Sequence, residues 1–126
     1  MQQAISEQLT ESLKKAKNLL SATDRSELET EHNALEEKTF SPEFWQNDSA
    51  QSTMESISAL KKQIQQIDDV SNIVEDLEAL LELVNESDNE EDIQELEKQL
   101  PLKISQLDKV TSILELKQFL IGRAHV

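Results

Sequence analysis

Apolar residues recur along most of this chain in steps of three and four, the spacing that places side chains on one face of an α-helix. The longest stripe covers residues 57–84 and predicts a helix over about residues 48–85. Ile73 and Leu80 widen this stripe, so the helix is expected to contact more than one neighbour. Further stripes predict helices over about residues 3–20, 24–38 and 88–121, the last carrying Leu100, Ile104, Leu107, Val110 and Leu114.

Proline marks the end of the second predicted helix. Pro42 lacks a backbone N–H and holds Ser41 in extended geometry, so this helix is expected to stop near residue 38. Asp48 then fits as the N-cap of the longest helix, with Gln51 three residues later as its capping-box partner.

The other predicted turns carry polar residues. The first stripe lapses at residues 21–23, either as a break with Thr23 capping the second helix or as a polar patch on one long helix; a break is favoured. Ser87 and Glu90 form a capping-box pair before the last helix. Pro101 lies inside that helix, where the resumed stripe predicts a kinked but continuous helix.

These elements predict an all-α fold. Short turns between long helices make neighbours antiparallel, so the expected architecture is an elongated antiparallel bundle or coiled-coil hairpin of three to four helices. Residues 1–122 form the predicted bundle domain, and residues 123–126 a short tail at a truncation point. A single glycine and 37% hydrophobic residues with few aromatics favour a narrow core.

The few aromatic residues are concentrated at the second turn. Three of the four, Phe40, Phe44 and Trp45, fall within residues 39–48, and we call these three residues the aromatic corner. One interpretation is a buried plug that covers the gap between two helices, which is the favoured one for large aromatic side chains. The other is an exposed docking patch.

Charge restricts the class of partner. The net charge of −14 argues against direct nucleic-acid binding, which needs clustered Lys and Arg, and favours a partner with a basic surface, such as a ribosomal protein. No apolar run approaches the ~18 residues of a membrane span, and the N-terminus lacks the pattern of a signal peptide. The expected location is the cytoplasm, with no membrane partner.

The sequence offers no pattern for catalysis or for a cofactor. Cysteine is absent, and the single glycine, Gly122, excludes Gly-rich phosphate-binding loops. His32 fits a half-buried helix residue better than a metal ligand, and His125 fits a solvated terminal side chain. The adjacent Glu36 and Glu37 lack the spacing of a calcium loop. No catalytic, cofactor-binding or metal-binding residue is assigned, and the chain is expected not to be an enzyme.

Three stretches of the chain share the order and spacing of one known family. The first combines Leu-Glu and Leu-Glu-Glu at residues 28–37 with FWQNDSAQ at residues 44–51. The second is EDLEALLEL at residues 75–83, followed by an acidic turn at residues 86–92. The third is LELKQFLIG at residues 114–122. Together they resemble the N-terminal helical domain of bacterial peptide chain release factor 2, of the class I release factor family.

The resemblance implies a domain that docks at the stalk base of the large ribosomal subunit, near where the release-factor GTPase acts. In that family the codon-reading Ser-Pro-Phe loop and the Gly-Gly-Gln loop for peptidyl-tRNA hydrolysis lie in later domains. This chain contains neither loop, since Ser41-Pro42-Glu43 belongs to the helix corner.

The end of the sequence departs from the family. After Gly122 the family continues with Glu-Tyr-Asp, whereas Arg123-Ala124-His125-Val126 follows here. We therefore expect an expressed domain, a truncated product or a stand-alone relative, none of which terminates translation by itself. The alternative is a structural coiled-coil adaptor unrelated to translation, which would have no need of the aromatic corner.

Overall fold

The computed structural model describes residues 3–124, with side chains described for residues 3–117. Every regular element in that part of the chain is helical, which confirms the all-α prediction. The elements are α1 (Gln3–Ser21), α2 (Arg25–Lys38), a short 3₁₀ turn (Pro42–Gln46), α3 (Ala50–Glu86), α4 (Glu90–Lys98) and α5 (Leu100–Ala124).

An antiparallel hairpin of α3 with α4 and α5 forms the body of the molecule. Helix α3 has 37 residues and is therefore roughly 55 Å long at ~1.5 Å per residue. Lys103 Nζ on α5 lies 3.4 Å from Asp76 Oδ2 on α3 and joins the two arms. Helix α3 contacts α1, α2, α4 and α5, as its widened apolar stripe predicted.

Helices α1 and α2 pack against this hairpin. Lys17 Nζ of α1 lies 2.9 Å from Glu78 Oε1 on α3. The guanidinium of Arg25, at the start of α2, makes a bidentate contact with Asp68 of α3, in which Nε donates to Oδ1 at 2.7 Å and Nη2 donates to Oδ2 at 3.1 Å. The same guanidinium also binds Glu29 one turn along α2, at 2.8 Å. These exposed ion pairs connect both helices to α3 and add to their apolar packing.

The predicted break after α1 is confirmed, but its cap is a different residue. Asp24 caps α2, because its Oδ1 accepts the Glu27 backbone N–H at 3.0 Å. The Thr23 hydroxyl instead donates to the Leu20 carbonyl at 2.8 Å and so closes the end of α1. The prediction of Thr23 as the cap is therefore wrong.

The N-cap of α4 also lies later in the chain than predicted. Asn89, not Ser87, is the N-cap, and its Oδ1 accepts the backbone N–H groups of Glu91 at 2.9 Å and Asp92 at 3.3 Å. The Ser87 backbone N–H bonds the Leu83 carbonyl and ends α3. Ser87 thus ends one helix, and Asn89, two residues later, caps the start of the next.

The last predicted helix is interrupted for one residue, at Gln99, and α4 and α5 together form the predicted kinked helix, so the expected bundle of three to four helices is confirmed. Helix α4 ends at Lys98, and Gln99 keeps right-handed helical backbone angles before α5 begins. The Gln99 N–H bonds the Leu96 carbonyl three residues back, at 3.1 Å. Pro101 has no N–H to continue the ladder, so the regular bonding lapses for one residue. Helix α5 runs through Ala124, into the predicted tail; residues 125–126 lie outside the described part.

The core is a narrow strip between α1, α3 and α5. Its fully buried large side chains all come from the predicted stripes: Leu77, Leu100, Ile104, Leu107, Leu114 and Val70. Two polar residues also enter it, since Ser12 is 8% exposed and Thr111 only 3%. The adjacent Leu13 and Val110, which the apolar pattern favours, are only half-buried. None of the described helices is long and apolar enough to cross a lipid bilayer.

Candidate functional site

The backbone of the aromatic corner is set by the end of α2 and by Pro42. The Thr39 backbone N–H and hydroxyl both reach the Glu36 carbonyl, at 3.0 and 2.6 Å, and end the helix. Ser41 is extended, with φ −85° and ψ 131°, as the residue before a proline must be. Pro42 then starts the 3₁₀ turn, where its missing N–H costs no hydrogen bond.

The aromatic side chains of the corner lie on the surface. Phe40 is 76% exposed and Trp45 is 59% exposed, whereas Phe44 is half-buried. The rings of Phe44 and Trp45 meet edge to face, with centroids 4.9 Å apart and planes at 88°. The indole Nε1 donates to the Thr39 carbonyl at 3.1 Å, which holds the ring against the end of α2.

The interpretation of the corner as a buried plug is therefore wrong for Phe40 and Trp45. Helix α2 packs along α3, and both side chains stay largely exposed beside this contact. Only Phe44 turns inward. Trp45 is held in place by its hydrogen bond and its contact with the Phe44 ring, and Phe40 and Trp45 offer most of their surface to solvent.

Asn47 connects the corner to α3. Its Oδ1 accepts both the backbone N–H and the hydroxyl of Ser49, at 3.0 and 2.9 Å. Its own N–H bonds the Phe44 carbonyl, and its carbonyl accepts the Ala50 N–H. The prediction of Asp48 as the N-cap is wrong, since Ser49 precedes the helix and makes no side-chain cap. The sequence signal that was missed is the tendency of Asn to bond the backbone two residues on.

Acidic residues are frequent in the aromatic corner's stretch of the chain and just before it. Four exposed carboxylates belong to this segment: Glu36, Glu37, Glu43 and Asp48. The Ser41 hydroxyl donates to Glu43 Oε2. This bond, with a lesser contribution from a backbone hydrogen bond at Glu43, lowers the pKa of the Glu43 carboxyl and keeps it ionised. The corner thus presents large rings beside fixed negative charge.

Such a surface is suited to protein contact. Trp and other large aromatics are enriched at binding hot spots. Among the described residues, no group of three or more His, Cys, Asp or Glu side chains is arranged to hold a metal ion. His32 is half-buried on α2, 3.5 Å from Glu36 Oε2, while His125 lies outside the described residues.

Comparison with known proteins gives one match. A model of the PCRF domain family matches residues 28–125, which is well over half of the chain. The matched region contains the aromatic corner and the whole α3–α5 hairpin. No curated protein and no solved structure matches the chain.

Proposed function

This chain belongs to the PCRF domain family, the N-terminal domain of class I peptide chain release factors, which act in translation termination, and we propose that it is a ribosome-docking domain of this kind. The membership argues against a coiled-coil adaptor unrelated to translation. The proposed partner is the protein at the stalk base of the large ribosomal subunit, with the release-factor GTPase as a second candidate. The proposed location is the cytoplasm, where ribosomes work.

The exposure of the aromatic corner carries this proposal. A side chain as large as Trp45 gains little stability for the fold when 59% of it faces water. The same indole contributes strongly to the binding free energy once a partner covers it, because buried Trp side chains dominate the energetics of many interfaces. Its hydrogen bond to Thr39 and its contact with Phe44 fix the ring before binding, which lowers the entropy lost on association.

Charge supports the choice of partner. The net charge of −14 and the four carboxylates of the corner complement a basic ribosomal protein. Such complementarity accelerates encounter and weakens as salt screens it over a Debye length of about 8 Å at physiological ionic strength. Binding is expected to be strongest at low salt.

The domain is proposed to act by binding alone. A Gly-Gly-Gln loop needs two glycines, and the sequence has one. No catalytic residue or cofactor is proposed. Added to stalled termination complexes, the chain is expected to release no peptide, and in excess it should slow release by a complete release factor that docks at the same place.

The deciding experiment measures affinity for purified large ribosomal subunits. Trp45→Ala and Phe40→Ala are expected to weaken binding at least about tenfold, as loss of ~1.4 kcal/mol or more at a hot spot would do. Leu102→Ala is the matched control, because Leu102 is also apolar and 65% exposed but lies on α5, away from the corner. Its binding should match wild type.

Thermal melts accompany the binding measurements and should show folded proteins for all variants. Subunits stripped of the stalk-base protein should lose the interaction. Affinity that is undetectable at low salt, or equal for Trp45→Ala and wild type, would contradict docking through the corner. Stop-codon-dependent peptide release by the chain itself would contradict the binding-only role.

A further inference from the structure

A second surface feature lies on the hairpin, away from the aromatic corner. A groove of about 780 Å³ runs between the first half of α3 and the later part of α5. Ala59, Val110 and Ile113 provide its apolar lining, and Ile113 stays 42% exposed. On α3 the lining extends from Ser58 to Asp69, a helical length of ~17 Å at ~1.5 Å per residue. The groove is therefore long enough to hold about three turns of another helix.

The lining of the groove is basic, although the chain is acidic. Lys61, Lys62 and Lys117, here called the groove lysines, line it, and Asp69 is the only acidic residue among the described lining residues. Three of the chain's 12 basic residues thus meet at one place on a protein of net charge −14. Because salt screens charges beyond a Debye length of about 8 Å, these lysines set the local potential more than distant carboxylates do.

Gln66 adds an independent sign of a ligand. Its side-chain Oε1 is buried and has no hydrogen-bond partner among the described residues, and Gln66 itself lines the groove. A buried acceptor without a donor destabilises a structure, and a donor supplied from outside removes that cost. Because the Oε1 atom is covered, the Gln66 side chain has to turn toward the groove to meet such a donor, and a ligand there is expected to bring the N–H or O–H group.

We propose that this groove binds an acidic amphipathic helix of a partner protein. The apolar side of that helix lies on Val110 and Ile113, its carboxylates pair with the groove lysines, and a polar side chain donates to Gln66. Helix-in-groove binding is a common mode of peptide recognition and uses apolar anchors at helical spacing. This surface goes beyond the proposed ribosome docking, which uses different residues.

Two other occupants fit less well. Single-stranded RNA carries many phosphates, which would meet the repulsion of the remaining surface, and the groove offers no aromatic ring for base stacking among its described lining residues. A second copy of the chain would bring another −14 charge, and such self-repulsion opposes association.

The probe is a fluorescein-labelled synthetic helix of about 14 residues, four turns, with leucines on one side, glutamates elsewhere and one central asparagine among the leucines. Anisotropy titrations with the full chain measure its affinity at low and at physiological salt. A scrambled peptide of the same composition and a peptide with lysine in place of glutamate are the peptide controls. Both are expected to bind at least about tenfold more weakly, since they lack the apolar side or the negative charge.

The first protein variant changes all three groove lysines to glutamate (K61E, K62E, K117E). The loss of three exposed ion pairs is expected to weaken binding at least about threefold. The matched control carries K14E, K38E and K98E, which change the net charge equally but lie on α1, α2 and α4. Its affinity should stay within about twofold of wild type, and circular dichroism should show that both variants fold.

Gln66→Leu tests whether the bound helix donates a hydrogen bond to Gln66. This variant should bind the asparagine peptide several-fold more weakly than wild type, but should bind a peptide with leucine at that position equally well. Trp45→Ala should leave peptide affinity unchanged, which separates this proposal from ribosome docking.

Several results would overturn the proposal. They are the absence of saturable binding at low salt, equal losses in the two triple variants, and tighter groove-lysine-dependent binding of a single-stranded RNA of matched length. A fourth is that the chain forms a dimer, that Ile113→Glu disrupts this dimer, and that no peptide binds.

Discussion

Thr111 places a hydroxyl group inside the bundle, and replacing it with valine is expected to stabilise the protein. The residue is 3% exposed, and its Oγ1 has no hydrogen-bond partner among the described residues. A helical threonine can donate to the carbonyl three or four residues earlier, but no such bond to Leu107 or Asp108 is present. The hydroxyl is thus desolvated without compensation.

The size of the gain follows from this burial. An unpaired buried hydroxyl costs about 1–3 kcal/mol, and valine has nearly the same shape as threonine without the polar atom. Thr111→Val should therefore raise the free energy of unfolding by about 1–3 kcal/mol. For a domain of this size each kcal/mol moves the melting temperature by roughly 3–5 °C, so a rise of several degrees is expected.

Urea and thermal unfolding followed by circular dichroism measure this change. The urea midpoint should rise. The slope of the free energy of unfolding against urea concentration should stay constant, because the surface area exposed on unfolding is unchanged. Thr30→Val is the control, because Thr30 is exposed on α2 and such surface changes stay within about 0.5 kcal/mol. A midpoint that falls in Thr111→Val, with Thr30→Val unchanged, would show that the hydroxyl is bonded and that the reasoning from burial fails.

Two further predictions concern the core and the corner. Leu107→Ala should lower the free energy of unfolding by about 2–5 kcal/mol because Leu107 is fully buried, whereas Leu116→Ala, at a 60% exposed position, should stay within about 0.5 kcal/mol; equal urea midpoints for the two variants would contradict the assignment of the core. Ser41→Ala should raise the pKa of the Glu43 carboxyl towards its ordinary value, because the hydroxyl that lowers it is lost. In wild type the pKa of Glu43 is lower in the folded protein than in the unfolded chain. The hydrogen bond therefore stabilises the fold at pH values above the unfolded-state pKa, and this stabilisation is lost as the pH falls through the folded-state pKa. A carboxyl titration by NMR measures the shift, with Ser52→Ala as the control; identical titrations in all three proteins would contradict the bond.

The fold was largely predictable because its signal is local. The observed bounds of α1, α2 and α3 lie within two residues of the predicted ones, since apolar periodicity and proline each act over a few neighbouring residues. The caps were less predictable. Thr23 and Asp24 are both able to cap, as are Ser87, Asp88 and Asn89, and the residue that ends the preceding helix is fixed only in the folded chain, through the Thr23 hydroxyl and the Ser87 backbone N–H.

Burial at single positions depended on the neighbouring helices. The apolar pattern favoured Val110, yet Thr111 is the buried residue, because it continues the spacing of Leu107 and Leu114 on the face covered by α1 and α3. Polarity alone does not reveal which of two adjacent residues faces a neighbour that lies far away in sequence.

The sequence by itself determined an acidic, all-helical chain, its turns, its family and the concentration of aromatic residues in one corner. These properties follow from composition and short-range spacing. Only the tertiary structure decided that Phe40 and Trp45 face solvent, because the burial of a side chain depends on where the other helices lie. The groove lysines are likewise brought together only when α3 and α5 pair, since Lys61 and Lys117 are 56 residues apart in the chain.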